Sequence, residues 1–74
     1  MDQEWRKQFD AGSDALKEGN FKAAEELLYT ALASAERFGE KDPRLANTLE
    51  QLVEANWYGG QFGQVEAHAR RLLL

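Results

Sequence analysis

The sequence predicts an all-α fold, and three observations carry that prediction. Apolar residues recur at spacings of three and four through most of the 74-residue chain. No stretch alternates apolar and polar residues as a half-buried strand would. A segment also occurs twice: Gly19-Asn20-Phe21-Lys22-Ala23-Ala24-Glu25 returns 41 residues later as Gly60-Gln61-Phe62-Gly63-Gln64-Val65-Glu66. In each copy a glycine ends one helical pattern, an aromatic follows two residues on, and small or branched apolar residues open the next helix. A helix–turn–helix unit that repeats in this way stacks into a surface rather than enclosing a reaction centre.

The first predicted helix covers about 4–18, with Trp5, Phe9, Gly12 and Leu16 along one stripe. Gly19 supplies the left-handed position that ends it, and Asn20 can cap the next helix with its side-chain oxygen. The second helix, 21–38, carries one long apolar face of Ala24, Leu27, Leu28, Ala31, Leu32 and Ala35. Gly39-Glu40-Lys41 breaks the pattern. Asp42 as N-cap and Pro43 at the first helical position restart it, because proline loses no needed donor there. The third helix, 43–58, places Leu45, Leu49, Leu52, Val53 and Asn56 on one side. Gly59-Gly60 ends it, and 62–74 forms the fourth. One small domain over 1–74 follows, with repeat one at about 4–39 and repeat two at 42–74.

Composition narrows the function classes. A hydrophobic fraction of 43% suffices for a globular core, and 30% charged residues favour solubility. The absence of cysteine excludes disulfides, thiolate metal sites and cysteine nucleophiles. A net charge of −4 argues against nucleic acid, whose binding needs clustered cations to displace counterions. No apolar run approaches the roughly 20 residues that span a bilayer. The opening Met1-Asp2-Gln3-Glu4 is acidic rather than signal-like, so a cytoplasmic, reducing compartment is expected. His68 has no partner at metal-ligand spacing, and no carboxylate is visibly set beside a cleft. Neither a catalytic site, a metal site nor a cofactor is expected.

The joint register of these residues resembles tetratricopeptide (TPR) repeats, in the long-helix variety of kinesin light chains and their bacterial relatives. Gly19-Asn20-Phe21 and Ala24 match the turn and the first alanine of the second helix, and Leu28 and Ala31 fill the next signature positions. In copy two Leu49 and Leu52 match the large residues of the first helix. Gly60 and Phe62 match the turn, and Val65, Ala69 and Leu72 the second helix. The connection Glu36-Arg37-Phe38-Gly39-Glu40-Lys41-Asp42-Pro43 is similar to that of the long variety. The 41-residue spacing exceeds the ordinary period of about 34, which fits only that variety. Ala11-Gly12 match the small pair of the first helix loosely, and Val53 stands where copy two would carry glycine or alanine.

The resemblance implies four antiparallel helices in a right-handed solenoid segment, acting as a scaffold that binds a protein or peptide on a concave face. Register carries that face onto Arg6, Phe9, Asp10, Ser13 and Lys17 in copy one. In copy two it falls on Asn47, Glu50, Gln51, Glu54, Trp57 and Tyr58. These positions do not reproduce the carboxylate clamp of some TPR domains. Glu50 and Glu54, four apart on one helix face, would instead favour a basic or neutral segment. The bland alternative is a solvated helix face with no specific role. Trp57 has two readings, a binding hot spot or packing at the end of the groove, whereas Trp5 reads as internal.

Arg70-Arg71-Leu72-Leu73-Leu74 gives the fourth helix an apolar end without a capping glycine. Solenoids need a polar outer face on their last repeat. The expectation is that the natural protein continues or that Leu72, Leu73 and Leu74 pair with a second copy in a homodimer. The sequence therefore supports two functions, an interaction module and a self-assembling structural unit.

Overall fold

A computed structural model describes residues 2–73. Among them lie four α-helices: α1 (Asp2–Lys17), α2 (Phe21–Ala35), α3 (Pro43–Tyr58) and α4 (Phe62–Leu72). A single 3₁₀ turn, Glu36–Phe38, extends α2, so the expected helix to 38 tightens over its last three residues. The described residues contain no strand, and the all-α prediction holds.

The two copies of the repeated segment share one backbone solution. At the end of α1, Asn20 N–H donates to the Ala15 carbonyl at 2.9 Å and Gly19 N–H to Leu16 at 3.1 Å. At the end of α3, Gln61 N–H donates to Asn56 at 2.7 Å and Gly60 N–H to Trp57 at 3.2 Å. This paired closure requires a left-handed residue, and Gly19 (φ 80°) and Gly60 (φ 81°) provide it. The copies then diverge. Asn20 caps α2 by accepting from Ala23 N–H at 3.4 Å, whereas Gln61 makes no side-chain cap for α4. Asp42 caps α3 as expected, accepting from Arg44 N–H at 2.9 Å.

Residue pairs fix the topology. Gln8 meets Ser34 while Gly12 faces Leu28, so α1 and α2 run antiparallel. Phe38 meets Arg44 and Phe21 meets Tyr58, which makes α2 and α3 antiparallel as well. Trp5 pairs with Thr48 and Ser13 with Gln51, so α1 and α3 lie side by side and parallel. Tyr29 reaches Gln64 and His68 while Glu36 reaches Arg71, and α2 and α4 are parallel in the same way. Two helical hairpins therefore stack, with α1 and α3 in one layer and α2 and α4 in the other. The Cα extents of 29 × 26 × 14 Å agree, since two helices packed roughly 8–10 Å apart give a slab about that thin.

The core runs between the layers through Trp5, Ala15, Ala24, Leu28, Ala31, Leu32, Ala35, Leu45, Leu49, Leu52 and Ala55. Trp5 is only 2% exposed and is the largest of the fully buried side chains. It stacks on Phe9 at 5.0 Å, meets Phe38 edge-on at 6.5 Å, and donates its indole N–H to Thr48 Oγ1 at 2.8 Å. Thr48 passes the bond on to the Arg44 carbonyl at 2.7 Å. Arg44 in turn lies over the Phe38 ring at 3.4 Å and pairs with Asp42 at 2.8 Å. Asn56 is fully buried, and among the described residues no side chain or backbone group hydrogen-bonds its amide.

Gly12 sets how closely α1 approaches α2. A Cβ there would lie 2.7 Å from Leu28 Cγ and 2.8 Å from its Cδ2, in the middle of the core. Gly63 in α4 has nothing within 4 Å of the corresponding position. Gly12→Ala should therefore lose about 1–2 kcal/mol, because overpacking exceeds the roughly 1 kcal/mol of helix propensity that alanine adds. Gly63→Ala should gain up to about 1 kcal/mol, since it adds propensity without a clash. Thermal melts of the two variants are expected to shift in opposite directions.

Candidate functional site

Because α1 and α3 run parallel in the same layer, outward residues of both helices border a common groove. Its volume is about 720 Å³, and its lining comes from both hairpins. From α1 it takes Asp10, Ser13, Leu16 and Lys17, and from α3 Gln51, Glu54 and Tyr58. The turn between α1 and α2 adds Gly19, and the start of α2 adds Phe21. The floor is crossed by a hydrogen bond from Ser13 Oγ to Gln51 Oε1 at 3.2 Å. One end is walled by Phe21 and Tyr58, stacked with centroids 5.5 Å apart and planes at 21°.

Six of the eleven residues expected on the concave face meet in this groove: Asp10, Ser13, Lys17, Gln51, Glu54 and Tyr58. The other five lie outside its lining. Phe9 turns inward and packs on Trp5 and the core, because Trp5 four residues earlier occupies the same helix stripe. Arg6 lies over the Trp5 ring at 5.2 Å. Asn47 and Glu50 are exposed on α3 beside the groove. Trp57 is 58% exposed and meets Phe62 edge-on at 5.3 Å, which places it at the α3–α4 turn. Leu16, Gly19 and Phe21 were missed as groove residues. The available signal was the turn itself, since the aromatic after Gly19 must sit where the two hairpins stack.

The back of the slab is tied by polar contacts between α2 and α4. Tyr29 donates to Gln64 Oε1 at 3.2 Å, and His68 Nε2 lies 3.1 Å from the same hydroxyl. With its hydrogen given to Gln64, the Tyr29 oxygen can accept only from an Nε2–H of His68. Arg71 bridges Glu36 at 2.9 Å and Glu40 at 3.3 Å, closing α4 onto the end of α2. His68, expected to be structural or superficial, is 9% exposed and structural. Along the C-terminal edge Leu72 is half-buried against the core and Leu73 is 88% exposed, while Leu74 lies outside the described residues. Among the described residues no cluster of His, Asp or Glu could hold a metal ion, and no helix is long and apolar enough to cross a membrane.

No family model, curated protein or solved structure matches the chain.

Burial first, and the neighbouring Arg71 second, hold the His68 pKa below its usual 6.5. The folded state thus refuses a proton that the unfolded chain accepts, and stability should decline as pH falls from about 7 toward 5. Asp42 behaves with the opposite polarity of charge. Its hydrogen bonds from the Arg44 side chain hold its pKa down to about 2, so its contribution is lost only as pH falls from about 4 to 2. Melting temperatures across this range should fall in two steps, and His68→Gln should remove the upper one.

Proposed function

We propose that the chain is a protein-interaction module, a pair of stacked TPR-like hairpins that holds a segment of a partner protein along the α1–α3 groove. The observation that carries this reading is the groove itself. It draws its lining from both hairpins, is open to solvent, and offers at one end a stacked aromatic pair of exposed Tyr58 and half-buried Phe21. Aromatic side chains contribute disproportionately at interfaces because they bury large area for little rotamer entropy. Among the described residues, no nucleophile–histidine pair lines the groove. Ser13 is engaged by Gln51, and the single histidine faces Tyr29 on the opposite layer. We read the module as a soluble, cytoplasmic scaffold.

Display selection of random linear peptides on the intact protein tests this function. Selected peptides should lose about 5- to 30-fold in affinity with Tyr58→Ala, equivalent to 1–2 kcal/mol at a hot spot. They should bind Glu66→Ala, altered on α4, as well as the original chain. Failure to select any peptide, or equal loss with both variants, would remove the groove from consideration.

A second reading is favoured by the 88% exposure of Leu73 beside half-buried Leu72. On it, α4 pairs with a second copy and the chain is an assembly unit. Sedimentation equilibrium should then show a dimer that Leu73→Glu converts to monomer, with groove binding unchanged. A monomer at all concentrations would exclude this reading.

A further inference from the structure

We infer that the aromatic end of the groove recognises an extended basic–apolar segment. A lysine or arginine would face Glu54, with Asp10 adding negative charge farther along the groove, and an apolar or aromatic side chain two residues away would lie on the Phe21–Tyr58 pair. This rests on the groove reading above and adds the chemistry of its occupant.

Charge gives the first argument. Asp10 and Glu54 both line the groove and are exposed. Among the described residues neither carboxylate makes an ion pair, while Glu36, Glu40, Asp42 and Glu66 are all paired elsewhere. Lys17 is the one cation of the lining, so the groove keeps a net negative charge before exposed Glu50, one turn from Glu54, is counted. A cationic side chain meets a complementary field there. An acidic one meets repulsion from the groove and from a chain of net charge −4.

Spacing gives the second. Glu54 and Tyr58 are four residues apart on α3, which places them about 5–6 Å apart on one face. Side chains at i and i+2 of an extended segment lie on one side about 6–7 Å apart, so a cation and an apolar group in that pattern reach both residues at once. The Phe21–Tyr58 stack presents a broad surface, and Tyr58 is 61% exposed and accessible. A guanidinium or a hydrocarbon side chain can lie against such a ring.

The floor gives the third. Gln51 accepts from Ser13 through Oε1, which leaves its Nε2 hydrogens unengaged among the described residues. They can donate to a main-chain carbonyl of the segment, and so hold its backbone without reading its sequence.

Fluorescence anisotropy with three short capped peptides on the intact protein tests the inference. One carries Arg-Gly-Phe between Gly-Ser flanks, a second Glu-Gly-Phe and a third Arg-Gly-Gly. The Arg-Gly-Phe peptide should bind roughly five- to tenfold more tightly than either companion, a range set by one or two partly exposed charge contacts and one aromatic contact. The advantage over Glu-Gly-Phe should shrink as salt rises. Glu54→Lys should invert the order of the Arg and Glu peptides, a gain that misfolding cannot produce. Equal binding of the basic and acidic peptides, or an order unchanged by Glu54→Lys, overturns the inference. Binding by none of the three overturns it as well, and a productive display selection would then sustain the groove reading alone.

Discussion

The indole of Trp5 is the point on which the two hairpins depend. It is buried between its own helix, the end of α2 and the start of α3, and its N–H reaches a threonine 43 positions along the chain. That bond continues through Thr48 into the α3 backbone, so the ring is held in direction as well as in place. Loss of a buried tryptophan side chain costs about 3–5 kcal/mol, a large part of the 5–15 kcal/mol that stabilises an ordinary domain. Among the described residues, the other side-chain hydrogen bond between α1 and α3 is the half-buried Ser13–Gln51 pair. Both helices that wall the groove are thus tied to each other through Trp5.

Small residues make the rest of the packing possible. Gly12 and the alanines at 24, 31, 35 and 55 are buried where larger side chains would hold the layers apart. Close approach brings few methylene groups into the core, so a few large residues carry much of the burial energy. Arg44 adds a different kind of tie. Its side chain covers the Phe38 ring and pairs with the Asp42 cap, while its carbonyl accepts from the Thr48 hydroxyl that itself accepts from Trp5.

The helical stripes were legible in the sequence because burial repeats at the helix period. Trp5, Leu28, Leu49 and Leu52 lie where that period places them. The turns were legible because Gly19 and Gly60 have a stereochemical requirement that few residues meet. Thr48 was not legible as a core residue. Its burial is offset by a partner far away in the chain, and periodicity assigns no polar partners. Phe9 was misplaced for a related reason, since family register assigned it outward while the neighbouring indole drew it inward. Phe21 and Tyr58 belong to different hairpins, and their stacking becomes visible only once the hairpins are laid side by side. The same is true of Tyr29 with His68.

The uncapped start of α4 has a consequence for how the molecule is partitioned. α4 is the shortest of the α-helices, and its attachments to α2 are exposed ion pairs and an exposed Tyr29–Gln64 hydrogen bond around one part-buried contact, Tyr29 with His68. Such elements open at lower free energy than the rest of a domain. The groove takes no side chain from α4. Fraying or pairing at that edge would leave every residue of the groove lining in the slab, and could reach the groove only through α3, whose Trp57 packs on Phe62.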